Sequence, residues 1–219
     1  MTKITVRTSG SKIRIRLRDE TKAPVVTEPT GAEPLKSSEP VTPGKRALLL
    51  STSFINLMEI RAESIFRPDE EDVEIVYALS GSSNNTPDTF HKLSSGTIVE
   101  EATEDHIISS VRGMLEHIKR ERESEPKLVV ELHTHPQGAA RPSEQDRRYF
   151  THAVGAIKTL LADANILFGV HAVSSESIRE RQEPHKVSRN IIKWSSITRE
   201  HEVAFYSPNA EPYEVEILE

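Results

Sequence analysis

The chain has 219 residues, enough for one well-cored domain with extensions. Its hydrophobic content of 36% implies that part of the chain adds nothing to a core, and a formal net charge of -6 argues against a nucleic-acid partner. Without cysteine there are no disulfides or thiolate ligands, so any metal must rest on nitrogen and oxygen donors.

Residues 3–7 and 12–18 alternate apolar and polar side chains about Ser9, Gly10 and Ser11, the pattern of a β-hairpin. One face would carry Ile13, Ile15 and Leu17, the other Lys12, Arg14, Arg16 and Arg18. The basic face reads as solvated or edge-protecting in preference to a nucleic-acid contact. Residues 19–45 hold Pro24, Pro29, Pro34, Pro40 and Pro43 among Thr, Glu, Ser and Gly, and form an extended linker. The main domain begins at Arg46. Ala47 to Leu50 is a short buried strand, and Ser51 or Ser53 caps a helix whose apolar positions are Ile55, Leu57, Met58, Ile60, Ala62 and Ile65. Pro68 breaks it. A strand follows over Glu74 to Ser80, closed by Gly81. Thr103 then caps a periodic helix with Ile107, Ile108, Val111, Met114, Leu115 and Ile118 on one face.

Lys127 to His135 is a strand, Ser143 opens a helix with Phe150, Val154, Ile157, Leu160 and Leu161 inside, and Ile166 to Val173 is a buried strand. The pattern weakens from Ser174, with alternating runs at His201 to Tyr206 and Tyr213 to Leu218. Helices and strands alternate without a strict βαβ repeat, which predicts an α/β fold with a mixed sheet flanked by helices. The organisation is a hairpin over 1–18, a linker over 19–45, a main domain over 46–180 and a C-terminal β extension over 181–219. Apolar runs are too short to span a membrane, and the N-terminus lacks the apolar stretch of a signal peptide, so a cytoplasmic location is expected.

The chemistry concentrates between His133 and Asp146. Side chains alternate along a strand, so His133 and His135 share a face with Val129 and Glu131. Glu131 is placed to accept an imidazole N–H. Seven residues on, Ser143-Glu144-Gln145-Asp146 starts a helix and can return a carboxylate to the histidines. Two imidazoles and one carboxylate leave one tetrahedral position open, the arrangement of a catalytic zinc. A bare His-x-His is often a solvated strand and Ser-x-x-Asp a plain capping box; their conjunction is the signal. His152 and His171 read as surface or core histidines, and His91, His106, His117, His185 and His201 carry no spacing argument.

The run His133-Thr134-His135-Pro136 followed by Pro142-Ser143-Glu144-Gln145-Asp146 resembles the JAMM (MPN+) metalloprotease family. That family cleaves isopeptide or peptide bonds after ubiquitin-like modifiers on a cytidine-deaminase-like core. Its upstream Glu-x-x-Gly-x-Leu-x-Gly motif is matched by Glu74-Ile75-Val76-Tyr77-Ala78-Leu79-Ser80-Gly81, with Tyr77 at the usual glycine. The resemblance implies His133, His135 and Asp146 as ligands of one Zn2+ per chain, Glu74 as the base and Ser143 as oxyanion donor. Glu70, Glu71 and Glu63 are the other candidates for the base. It also implies, as partner, the tail of a ubiquitin-like or sulfur-carrier protein. Competing readings are an inactive MPN-type scaffold and a nucleic-acid-associated JAMM-like protein.

Overall fold

The computed structural model describes residues 5–9, 12–16, 47–64, 74–93, 104–174 and 180–218. The chain divides into two units, Met1–Lys45 and Arg46–Glu219. In the first, β1 (Thr5–Ser9) and β2 (Lys12–Arg16) pair antiparallel from Thr5↔Arg16 to Ser9↔Lys12. The expected faces of that hairpin, the proline-rich linker, the break at Pro68, the cap at Thr103, and the side chains of Ile65, Ile107 and Ile108 lie outside the described residues.

The second unit runs β3 (Leu48–Ser51), α1 (Thr52–Glu63), β4 (Val76–Gly81), β5 (Thr89–His91), α2 (Glu104–Glu121), β6 (Leu128–Pro136), α3 (Glu144–Leu160) and β7 (Asn165–Val173). It closes with β8 (Gln182–Ser188), β9 (Ile191–Ser195), β10 (Glu200–Tyr206) and β11 (Val215–Leu218). A seven-stranded sheet has the order β5-β4-β6-β7-β10-β9-β8. The β6–β7 pair is parallel, while the β4–β6 and β7–β10 pairs flanking it are antiparallel. Mixed pairing follows from connection length: α3 carries the chain back for a parallel β7, whereas short links return β9 and β10 antiparallel. The fold is thus α/β with a mixed sheet between helices, as the element pattern predicts. Residues 181–219 supply three strands of that sheet, and β11 pairs parallel with β3 in a separate ribbon.

Each face of the sheet has its own core. Val129, Ala78 and Val170 pack with Val111, Met114, Leu115 and Ile118 of α2 and with Phe150, Ala153 and Ile157 of α3. On the opposite face Leu128, Val130, Leu132 and Phe205 pack with Ile55 and Met58 of α1 and with Trp194. Two helical expectations need correction. In α1, Ile55, Met58 and Ala62 are buried at helical spacing, but Leu57 and Ile60 are out of phase and exposed, as is Leu160 of α3. The inward position of α1 is taken instead by Glu59, whose carboxylate accepts hydrogen bonds from Trp194 Nε1 (2.8 Å) and Arg181 Nη1 (3.0 Å). Ser51 is the cap of this helix, accepting from Phe54 N.

Candidate metal centre

Period-two alternation turns His133 and His135 of β6 toward the α2–α3 side of the sheet, with Val129. Asp146 reaches them from the first turn of α3 because of how that helix starts. Ser143 is its N-cap, with Oγ accepting from Asp146 N (3.1 Å) while Ser143 N donates to Asp146 Oδ2 (2.6 Å). This reciprocal box fixes the helix origin and the aspartate rotamer together. Asp146 Oδ1 lies 3.2 Å from His133 Nε2, Asp146 Oδ2 lies 3.4 Å from His135 Nε2, and the two Nε2 atoms are 3.0 Å apart. One ligand atom from each residue falls within a 4.8 Å sphere of mutual distances.

These separations suit a metal. Three donors at about 2.0–2.1 Å from a tetrahedral Zn2+ sit about 3.3 Å from one another, and the donor set contains only the nitrogen and oxygen types such an ion accepts. The His-His-Asp cluster is therefore one that could hold a metal ion. The electrostatics agree. Burial works to raise the Asp146 pKa, but hydrogen bonds from His133 and His135, the charge of His133 and the bond from Ser143 outweigh it and hold the carboxyl well below its usual range. Burial likewise works to lower the His135 pKa, yet Asp146, Glu74 and the Ala139 carbonyl together raise it. The pocket thus collects negative charge around two imidazoles.

A second layer of contacts orients these side chains. Gln137 adopts a left-handed conformation (φ 55°), which turns the chain directly after β6. The turn returns the Ala139 carbonyl to 3.1 Å from His135 Nδ1, an acceptor that leaves Nε2 facing Asp146. His133 packs 6.5 Å from the ring of Phe150, itself stacked on Phe168 at 4.2 Å. Glu131 differs from expectation: its hydrogen bond comes from the Tyr149 hydroxyl and not from an imidazole N–H. Burial pushes the Glu131 pKa up to about 7, against the lowering effects of Tyr149 and His133.

Glu74 precedes β4, whose antiparallel register with β6 pairs Val76 with His133. The Thr134 N to Ile75 O bond (3.0 Å) continues that register, so position 74 falls opposite His135 and on the same face. Glu74 is exposed, and its charge reaches His135 strongly enough to raise that pKa. Glu63 belongs elsewhere. It accepts from Ser196 and lies 3.1 Å from His201 Nε2, on the α1 side of the sheet. Glu70 and Glu71 are outside the described residues. Tyr77 points to the opposite face from Glu74, is fully buried, and hydrogen-bonds His171 Nδ1 at 2.8 Å. Its ring packs in the core on the face away from Glu74.

His171 is a fully buried core residue linked through Nε2 to His201 Nδ1 (3.0 Å), and His152 and His185 are exposed. Sequence reasoning missed a second cluster, His91, His117 and Glu121, whose ligand atoms also lie within 4.8 Å of one another. The four-residue spacing of His117 and Glu121 on α2 was its legible trace.

A family model described as prokaryotic homologs of the JAB domain matches residues 61–189. No curated protein matches the sequence. None of the described helices is long and apolar enough to cross a membrane.

Proposed function

The chain belongs to the family of prokaryotic JAB-domain homologs, and from that membership we propose that it is a zinc-dependent peptidase or isopeptidase acting after the C-terminus of a ubiquitin-like or sulfur-carrier protein. The family includes zinc isopeptidases as well as inactive members. The observation that carries the reading is the placement of Glu74 opposite His135, on the face where His133, His135 and Asp146 converge.

His133, His135 and Asp146 would hold one Zn2+ per chain. When bound, it supplies a Lewis acid that makes water nucleophilic near neutral pH and polarises the scissile carbonyl. Glu74 takes the proton from the attacking water and passes it to the departing amine, a lysine side chain or a peptide nitrogen. Its exposure leaves it open to solvent and substrate. Ser143 Oγ accepts from Asp146 N and keeps its own proton to donate to the tetrahedral oxyanion, a contact worth about 3 kcal/mol in comparable donors. The substrate tail would lie extended along a sheet edge, where backbone pairing provides affinity without demanding a particular side chain.

The test is incubation of the zinc-loaded full chain with ubiquitin-like and sulfur-carrier fusions, followed by intact-mass analysis. Cleavage directly after the modifier's C-terminus, abolished by chelator and by Glu74→Gln with metal content unchanged, is the expected result. Full turnover by Glu74→Gln would remove Glu74 as the base, and chelator-resistant cleavage would remove the metalloenzyme reading.

A further inference from the structure

We infer that His91, His117 and Glu121 form a second divalent-cation site, of the nitrogen/oxygen class that suits Zn2+, pinning the edge strand β5 to the last turns of α2. It does not depend on the hydrolytic reading above. The residues converge from two elements. His91 ends β5 opposite Ala78 of β4, on the sheet face that α2 covers, and His117 and Glu121 are one helical turn apart on α2.

The arrangement repeats the wedge seen at His133, His135 and Asp146, with one carboxylate oxygen facing each imidazole. Glu121 Oε2 is 2.6 Å from His91 Nδ1, and Oε1 is 3.3 Å from His117 Nε2. The rings stand edge to face with centroids 6.0 Å apart. Two further features point to an ion beyond the grouping itself. His117 Nε2 is shielded from solvent and makes no hydrogen bond to any described residue, since the carboxylate oxygen 3.3 Å away lies outside hydrogen-bonding geometry. An imidazole nitrogen left so carries a desolvation cost that a metal would remove.

The other feature is behind His91. This ring is fully buried, and its Nε2 lies 2.7 Å from Ser80 Oγ. Ser80 Oγ can accept a hydrogen bond from Nε2–H, which would leave Nδ1 to ligate an ion, the outer-shell support metal-bound imidazoles have. The charge of Arg122 is met by Asp88, and its guanidinium also donates to Ser80, Ser82 and Thr89. A dication would therefore meet one carboxylate oxygen and two imidazole nitrogens, the ligand set of a His2Glu zinc site.

The test is calorimetric titration of the chelator-stripped full chain with Zn2+, with Co2+ absorption as an independent readout of coordination. The wild type should take up two equivalents and Asp146→Ala one. His117→Ala or Glu121→Gln, combined with Asp146→Ala, should weaken the remaining ion at least about a hundredfold, since loss even of outer-shell partners costs 10–100-fold. Glu121 is half-exposed, so Glu121→Gln probes the site without risk to the core. Zn2+ should also raise the melting temperature of Asp146→Ala but not of the double variants. An Asp146→Ala protein that binds no ion, or double variants that retain one, would overturn the assignment.

Discussion

Glu131→Gln in the metal-free protein should flatten the dependence of stability on pH. Glu131 is buried beneath His133, accepts from the Tyr149 hydroxyl with one oxygen, and has no hydrogen bond from a described residue on the other. Its pKa of about 7 lies above the 4.5 of the unfolded chain. The folded state therefore holds its proton to higher pH, and stability declines as pH rises between those two values. Linkage over that interval gives a loss of about 1 kcal/mol at pH 5 and about 3 kcal/mol at pH 8, so the wild type should lose about 2 kcal/mol across the range through this group. Glutamine keeps the shape and an acceptor for Tyr149 but cannot ionise. His135, with a raised pKa, loses its contribution as pH rises, while His91, His171 and His201, with lowered pKa values, lose theirs as pH falls. These effects are common to both proteins and cancel in the difference. Urea denaturation at pH 5, 6.5 and 8 with chelator present measures that difference. Parallel curves for wild type and variant would refute the reasoning, as would a gap that closes with rising pH.

Other consequences follow from particular contacts. Phe150→Ala empties a fully buried position stacked on Phe168 and should cost about 3–5 kcal/mol by chemical denaturation. Ser143→Ala removes the capping hydroxyl of α3, lowering stability by about 1 kcal/mol, and on the function proposed should also cut turnover by about 10²–10³ with the metal retained. Glu59→Ala strips Trp194 Nε1 of its acceptor at a cost of about 1–3 kcal/mol, read from the melting curve and from the emission of the only tryptophan in the chain.

What could be read in advance was what local physics decides. The two histidines fall on one face because a strand alternates, and Asp146 returns to them because Ser143 caps a helix one turn upstream; both facts are local. The placement of Glu74 needed the β4–β6 register, which is non-local, and the family motif stood in for it. Strand β8 escaped notice because it is an exposed edge without a clean alternation, so no apolar period marks it. Glu59 was hidden for the opposite reason. A glutamate on the inward stripe of a helix breaks the pattern, and only the distant Trp194 and Arg181 explain it. The His91 cluster joins an edge strand to a helix about thirty residues away, a pairing that sequence spacing cannot announce.

The most direct measurement is anomalous diffraction at the zinc absorption edge from crystals of the full chain grown with zinc. A peak bounded by His133 Nε2, His135 Nε2 and an Asp146 carboxylate oxygen, and missing in Asp146→Ala crystals, is the predicted result. Absence of density between those three side chains in the wild type, with zinc present at saturating concentration, would contradict the account.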